Sequence, residues 1–288
     1  MTLSWTQEPY APQPLADRLA RPAAGAEIFW LGQAGFVLRG ETGGTVLIDA
    51  YLSDHLRAKY AGKLFEHVRM QDAPITPDAL PPLDVVLCSH HHSDHMDPDA
   101  LPLICAANPG TPVVVPAASV DRPARIGLPL SALLPADAGD ALDVAPGVRV
   151  HVVPSAHEDL EYDEQGRCRF LGYVIELGGV RIYHSGDCAP YPGQAEHLAA
   201  LAPDIALLPV NGRDTHRRTN GVPGNFHPDE AVALCRDAGI PVLLGHHYGM
   251  FAFNTIDAAV YQHAVSTAPG GLSVSLAQQG TVLRGERR

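Results

Sequence analysis

The chain has 288 residues, of which 46% are hydrophobic and 18% are charged, and its net charge at pH 7 is −12. With 27 glycines and 26 prolines, this composition excludes a long-helix or coiled-coil protein and favours short elements joined by turns. The acidic balance argues against a nucleic-acid binder or a binder of anionic membranes. No apolar run reaches the roughly 18 residues that a membrane-spanning helix needs.

The first 26 residues are rich in proline and alanine. They have no basic start followed by an apolar block, so they do not read as a secretory signal. We predict that residues 1–26 form an arm on the surface and that residues 27–288 form a single domain. The five cysteines include no CxxC pair, so we expect neither a disulfide framework nor a cysteine-based zinc site, and we expect a cytoplasmic location.

Hydrophobic periodicity predicts strands in the first half of the domain and strands that alternate with helices in the second half. The predicted strands cover residues 27–39, 45–48, 84–88, 111–115, 148–153, 172–177, 180–184, 205–210, 241–244 and 272–276. The predicted helices cover residues 97–107, 196–201, 228–238 and 256–266. This order fits an α/β protein with a four-layer αββα sandwich, in which two mixed sheets pack together and helices cover their outer faces.

Histidine is the unusual residue of the composition, because four of the 15 histidines fall within six positions, in the run CSHHHSDH. This run lies between a predicted buried strand and a predicted helix, where α/β proteins commonly place their sites. His90 and His92 point the same way in extended backbone and can bind one ion, whereas His91 points away. Asp94 and His95 can face a second position. Imidazole and carboxylate groups are ligands for zinc, manganese or iron.

The HxHxDH spacing of this run resembles the signature of the metallo-β-lactamase superfamily. Three further residues fit the ligands of that family, and each follows a predicted strand: His157, Asp187 and His247. The runs FWLGQAGF (29–36), YHSGD (183–187) and NGRD (211–214) are similar to the L-ascorbate-6-phosphate lactonase branch. The resemblance extends from about residue 27 to residue 283 and implies the αββα fold. His157 fits the general superfamily pattern better than the lactonase branch.

The resemblance implies one or two divalent ions per chain, zinc or manganese first and iron as the alternative. It implies that the first ion is bound by His90, His92 and His157. It implies that the second ion is bound by Asp94, His95 and His247, and that Asp187 bridges the two. Asp94 and Asp187 would also act in catalysis. His246 and His247 could each reach a metal, and the family pattern assigns His247.

Ligating imidazoles need their second ring nitrogen held by a partner. The candidates for this role are Asp49, Gln33, Ser89 and His184. An arginine-rich loop at 211–218 could hold a phosphate or carboxylate in forked geometry, or it could be a solvated loop or contact another subunit. The candidate substrate-binding residues are Arg213, Arg217, Asn225 and Tyr248.

These features predict a hydrolase that uses a metal-activated hydroxide to open a lactone or ester of a small anionic, phosphorylated substrate. A metal-dependent phosphodiesterase is the alternative enzyme. A di-iron redox protein is a third alternative, although its family variant carries Glu at the position of His92. A non-catalytic metal-binding protein is the fourth, and the full ligand set argues against it. The resemblance also implies a homo-oligomer.

Overall fold

The computed structural model describes residues 3–287. Its strands are β1 (Leu3–Pro9), β2 (Ala26–Gly32), β3 (Gly35–Arg39), β4 (Thr45–Ile48), β5 (Val85–Leu87), β6 (Val113–Pro116), β7 (Leu133–Ala136), β8 (Ala141–Ala145), β9 (Val148–Pro154), β10 (Leu171–Leu177), β11 (Val180–His184), β12 (Ile205–Pro209), β13 (Val242–His246), β14 (Ser273–Leu276) and β15 (Thr281–Arg287). Its α-helices are α1 (Leu15–Leu19), α2 (His55–Lys59), α3 (Leu101–Ala107), α4 (Asp121–Arg125), α5 (Gln194–Leu201), α6 (Thr215–Thr219), α7 (Pro228–Ala238) and α8 (Ala258–Thr267). Within the described residues, no helix is both long enough and apolar enough to cross a membrane.

The strands form two mixed sheets. The first sheet has eight strands in the order β1-β15-β2-β3-β4-β5-β6-β7, and the second has seven in the order β14-β13-β12-β11-β10-β9-β8. In the first sheet, β4 to β7 are parallel neighbours. In the second sheet, β11 to β14 are parallel neighbours. The remaining neighbours in both sheets are antiparallel, and they are mostly joined by short turns that include Gly43–Gly44 and Gly178–Gly179.

Alternation along the strands separates the apolar side chains into layers, because successive side chains point to opposite faces of a sheet. Ile28 and Trp30 of β2 belong to the core between the two sheets. Phe29 of the same strand packs with helix residues such as Leu101 on the outer face of the first sheet. A third cluster lies between the second sheet and helices α5, α7 and α8. Three apolar layers between four structural layers confirm the predicted αββα sandwich.

Several elements differ from the sequence prediction at the chain ends and in the middle. Strands β1, β7, β8 and β15 were not predicted, and the helix expected from Asp97 begins only at Leu101. Asp97 instead accepts hydrogen bonds from the backbone N–H groups of Asp99 and Ala100 at 3.0 and 3.1 Å, which holds a turn before the helix. Within the predicted arm, residues 3–9 form an edge strand paired with β15, while residues 1 and 2 lie outside the described range.

The topology brings strand ends from both sheets to one edge of the sandwich. Parallel neighbours end on the same side, so the loops after β4 and β5 are adjacent, and the loops after β11, β12 and β13 leave the second sheet at the same edge. The hydroxyl of Tyr173, on β10, donates a hydrogen bond to the carbonyl of Cys88 at 2.8 Å. This contact links the second sheet to the start of the histidine run in the first.

Candidate metal centre

Seven predicted ligands converge on this edge from loops that follow four different strands. The histidine run follows β5, His157 follows β9, Asp187 follows β11 and His247 follows β13. Their ligand atoms form three overlapping groups, each with all its atoms within 4.8 Å of one another. The groups are His90 with His92 and His157, then His90 with His95 and Asp187, and then Asp94 with His95 and His247. The structure therefore brings together all seven residues of the predicted set.

Asp187 lies between the two outer groups. Its Oδ1 is 3.0 Å from Nε2 of His247 and 3.3 Å from Nε2 of His95, and its Oδ2 is 3.7 Å from Nε2 of His157. The carboxylate therefore turns one oxygen toward each side of the cluster. This is the arrangement that a bridging ligand requires, and it matches the role that the resemblance implied.

The ring nitrogens of His90 and His95 show which atoms are free to bind a metal. Nδ1 of His90 lies 3.0 Å from the Ser89 hydroxyl, and Nδ1 of His95 lies 2.8 Å from Oδ2 of Asp49. Their Nε2 atoms are buried and have no hydrogen-bond partner among residues 3–287. A buried orphan nitrogen is costly unless something binds it. The donor set of imidazoles and carboxylates therefore fits a divalent metal.

Asp49 and Ser89 form the support beneath these histidines. Asp49 is fully buried and accepts hydrogen bonds from the backbone N–H of Ser89 at 2.7 Å and from its hydroxyl at 2.5 Å. This contact follows from the parallel pairing of β4 with β5, which places the two residues at adjacent strand ends. The loop before Asp187 packs on the same support, because a Cβ at Gly186 would lie 2.7 Å from Cβ of Ser89.

Burial and neighbouring charges set the protonation of the cluster. Burial lowers the pKa of His157 to about 3 and that of His90 well below its usual range. Burial also lowers the pKa of His95, but the carboxylates of Asp187 and Asp49 outweigh this effect and hold it well above its usual range. For Asp187, burial raises the pKa, but His247 and His95 outweigh burial and hold it well below the usual range.

Left-handed backbone is concentrated at the site. Gln33, Asp49 and His247 have φ values of 51°, 45° and 63°, and Glu158, next to His157, has 70°. Residues other than glycine adopt this conformation rarely, and they cluster where the surrounding structure holds a functional site. The turn at Gln33 is held by its carbonyl, which accepts hydrogen bonds from the His247 backbone N–H at 3.0 Å and the Trp30 indole at 2.9 Å.

Gln33 and His184 contact different parts of the ligand cluster and its surroundings. Nε2 of Gln33 donates a hydrogen bond to Oδ2 of Asp94 at 3.0 Å and lies 3.1 Å from Nε2 of His247. Nε2 of His184 lies 2.9 Å from the carbonyl of Ala34, and its Nδ1 accepts from the N–H of Gly186 at 3.0 Å. Gln33 therefore contacts predicted ligands directly, whereas His184 acts on the backbone before Asp187.

His246 is fully buried beneath the cluster. Its ring stacks on His184 with centroids 5.1 Å apart, and burial lowers its pKa well below the usual range. It belongs to none of the three ligand groups in the described residues. His246 therefore packs behind the cluster, whereas His247 is the residue of this pair that the structure places in a ligand group.

The four predicted substrate-binding residues are engaged elsewhere. The guanidinium of Arg213 forms a forked ion pair with Glu230 at 2.6 and 2.7 Å. Arg217 donates to Asp214 and to Asn254 Oδ1, each at 2.6 Å. The side chain of Asn225 is buried and donates to Asn211 at 3.0 Å, and the ring of Tyr248 stacks on Trp30 at 5.2 Å. None of the four lines the cavity beside the ligand cluster, so the structure gives no support to that prediction.

That cavity has a volume of about 490 Å³ and includes His92, Asp94, His157, Asp187 and His247 in its wall. The rest of the wall comes from the segment 56–67, from residues 220–223 and from Ser93 and Asn254. The sequence interpretation did not include these residues. One feature of the sequence could have drawn attention to Lys59 and Lys63, because they are the only lysines in the chain.

Comparison with known proteins agrees with this geometry. A family model described as a beta-lactamase superfamily domain matches residues 44–248. The UPF0173 metal-dependent hydrolase Ta0764 of Thermoplasma acidophilum is 30% identical over 232 residues, which cover 78% of this chain and 84% of that relative. A probable L-ascorbate-6-phosphate lactonase, UlaG of Salmonella heidelberg, is 26% identical over 210 residues, which cover 62% of this chain and 58% of that relative.

The fold is also similar to solved structures. Igni18, described as a metallo hydrolase from Ignicoccus hospitalis, matches with a TM-score of 0.64 and 20% identity over 91% of this chain and 99% of that chain. At this identity the match supports the architecture alone. The match covers both sheets, so it agrees with the sandwich derived from the three apolar layers.

Proposed function

Since this chain belongs to the metallo-β-lactamase superfamily of metal-dependent hydrolases, we propose that it opens a lactone or ester of a small anionic substrate. One observation carries this proposal: seven ligand side chains from four strand ends converge, and five of them line the wall of one cavity. The similarity to a probable lactonase over 62% of this chain supports a lactone as the first substrate to test. Zinc or manganese is the proposed metal, with one or two ions per chain.

The seven candidate ligands form two sets, one for each ion, with one shared residue. His90, His92 and His157 would hold one ion, Asp94, His95 and His247 would hold the other, and Asp187 would bridge them. A divalent ion at such a site supplies Lewis acidity and lowers the pKa of water to about 7. Asp49 keeps His95 oriented through its Nδ1, as metal-bound imidazoles require. Asp94 and Asp187 line the cavity, so a substrate that enters the cavity would meet these two residues.

The two carboxylates at the cavity have separate tasks. Asp187 stays ionised, because His247 and His95 hold its pKa well below the usual range. Burial raises the pKa of Asp94, but His95, His247 and His92 together outweigh burial and lower it. Asp94 is therefore a carboxylate at neutral pH and can accept a proton from the attacking water or pass it to the leaving alcohol. The side chain of Asp94 is 18% exposed, compared with 6% for Asp187, so Asp94 is the more accessible acceptor.

The proposal is tested by assaying the purified protein after chelation and after reloading with zinc, manganese or iron. The substrate panel contains phosphorylated lactones, carboxylated aryl esters and phosphodiesters. We expect hydrolysis of lactones or esters that requires added zinc or manganese and is lost in the variant Asp187→Asn. Hydrolysis of phosphodiesters alone would favour the alternative enzyme, and bound iron with visible absorption and no hydrolysis would favour a di-iron redox protein.

We also propose a cytoplasmic location and a homo-oligomeric state. The location is supported by five free cysteines, since a secreted protein would more commonly pair them. Light scattering after size-exclusion chromatography measures the oligomeric state, and a monomer would contradict that part of the proposal.

A further inference from the structure

The basic residues at the cavity are unusual for this chain. Lys59 and Lys63 are the only lysines in the sequence, and every other basic residue is an arginine. Both lysines line the cavity that contains the predicted metal ligands. The chain as a whole has a net charge of −12, so a pair of ammonium groups gives this part of the cavity wall a positive charge that contrasts with the rest of the protein.

The position of the lysines gives them direct access to the cavity mouth. Lys59 is the last residue of α2, and its Nζ donates a hydrogen bond to the Ser93 hydroxyl at 3.2 Å. Ser93 lies between the predicted ligands His92 and Asp94. Both lysine side chains are solvent-exposed, and neither forms an ion pair with any carboxylate in residues 3–287. Their charges are therefore available to a ligand, unlike those of Arg213 and Arg217.

The segment that carries the lysines is firmly attached. His67 packs edge-on against Phe251 with centroids 4.8 Å apart, and Phe65 stacks on Phe253 at 4.8 Å. The backbone N–H of Met70 donates to the carbonyl of Met250 at 2.8 Å. The partners Met250 and Phe253 belong to the chain just after the ligand His247. These contacts hold the lysines at a defined distance from the ligand cluster, so the subsite is pre-formed.

Part of the cavity wall is apolar. Leu64 and Phe65 lie on the lysine-bearing segment, and Val222 and Pro223 lie on the loop after α6. Leu64 has 68% of its surface exposed, although it is a large apolar residue. Ligand cavities typically combine such apolar walls with a few charged groups that fix the orientation of the ligand.

We propose that Lys59 and Lys63 form the anion-binding subsite of this cavity, and that the substrate is an ester or lactone with an oxyanion group and an apolar portion. The oxyanion, a carboxylate or a phosphate, binds the two ammonium groups. The apolar portion contacts Leu64, Phe65 and Val222, while the reacting carbonyl lies at Asp94 and Asp187. This inference rests on the proposed function and replaces the arginine loop as the site of anion recognition.

Binding is measured without turnover, by calorimetry on zinc-loaded and metal-free protein. The probes are benzylphosphonate and phenylacetate, which share an apolar ring and differ in their anion, and benzyl alcohol, which is neutral. The variants are Lys59→Gln, Lys63→Gln, the double variant and the charge-preserving pair Lys59→Arg with Lys63→Arg. Arg57→Gln is the matched control, because Arg57 is an exposed cation on the same helix that does not line the cavity.

Each single glutamine variant is expected to bind the anionic probes about threefold to fivefold more weakly, and the double variant about tenfold more weakly. The arginine pair and Arg57→Gln should stay within about twofold of the wild type, and the affinity for benzyl alcohol should not change. The anionic probe that binds more tightly identifies the preferred anion as phosphate-like or carboxylate-like. The subsite is refuted if the double variant binds both anions as tightly as the wild type, or if Arg57→Gln weakens them equally.

The same variants separate this inference from the proposed hydrolase. Loss of anion binding in the double variant, together with no hydrolysis of any ester by the wild type, would support the subsite and reject the hydrolase. Hydrolysis of carboxylated and neutral aryl esters with the same kcat/KM ratio in the wild type and the double variant would reject the subsite and support the hydrolase.

Discussion

The support formed by Asp49 makes a quantitative prediction about metal affinity. Its carboxylate accepts three hydrogen bonds, two from Ser89 and one from Nδ1 of His95 at 2.8 Å. In the variant Asp49→Asn, the amide oxygen can still accept from the backbone N–H of Ser89, but the amide NH₂ replaces the oxygen that accepts from the Ser89 hydroxyl and from His95. Asparagine also tolerates the left-handed backbone of this position, where φ is 45°. The substitution therefore tests the charge and the acceptor rather than the backbone.

We expect Asp49→Asn to bind zinc or manganese about tenfold to a hundredfold more weakly, which corresponds to roughly 1.4–2.8 kcal/mol. A hydrogen bond to a charged acceptor is worth about 1.5–3 kcal/mol, which is the same range. A second effect opposes the loss: Asp49 helps to raise the pKa of His95 in the metal-free protein, so its removal weakens competition from the proton. The affinity of the variant should therefore depend less steeply on pH than that of the wild type.

The assay is a competition titration against a chromophoric chelator at several pH values, with circular dichroism to verify folding. Asp84→Asn is the control, because Asp84 accepts a hydrogen bond from the Thr45 N–H at 2.7 Å at the other end of β4. Its metal affinity should match that of the wild type within about twofold. Unchanged affinity and unchanged pH dependence in folded Asp49→Asn would refute the assigned role of Asp49.

Four further results are expected. The variant Gln33→Asn should withdraw the amide from Asp94 and weaken the binding of one of two metal equivalents about tenfold. Elemental analysis measures this as the metal stoichiometry. Equal weakening of the binding of both equivalents would contradict a local effect. The variant Asp187→Asn should lower kcat/KM more than about a hundredfold and reduce bound metal, and wild-type activity in this variant would remove Asp187 from the mechanism. Because the pKa of His157 in the folded chain is about 3, below the roughly 6.5 of unfolded histidine, the unfolding free energy of the metal-free protein should fall as the pH drops from about 6.5 toward 3. Urea unfolding should show a smaller fall in His157→Gln, and an identical fall would assign the effect to other groups. Zinc or manganese at a hundred times Kd should stabilise the chelated protein by about 2.7 kcal/mol, and chelated protein that gains nothing from metal would contradict the site.

The charged residues at the cavity show why the substrate contacts were harder to predict than the ligands. Three arginines within six positions offered an anion clamp in the loop at 211–218, with a solvated loop or a contact to another subunit as the alternatives. Arg213 instead pairs with Glu230 of α7, and Arg218 pairs with Glu158. Glu230 lies in another helix and Glu158 lies in another loop, so whether these acids reach the arginines depends on tertiary packing. Lys59 ends a short helix that no periodicity predicted, and its place beside Ser93 also depends on tertiary packing.

The strands could be predicted from the sequence because the two-residue period of apolar residues is a local rule. The HxHxDH spacing is also local, and the family resemblance added His157, Asp187 and His247, so the sequence was enough to name all seven candidate ligands. The pairing of β1 with β15 from the other end of the chain depends on tertiary packing, and so does the question of which cations face the cavity unpaired. Whether a strand lies at the edge of a sheet, and whether a charge is unpaired, depends on neighbours in space that the local sequence does not specify.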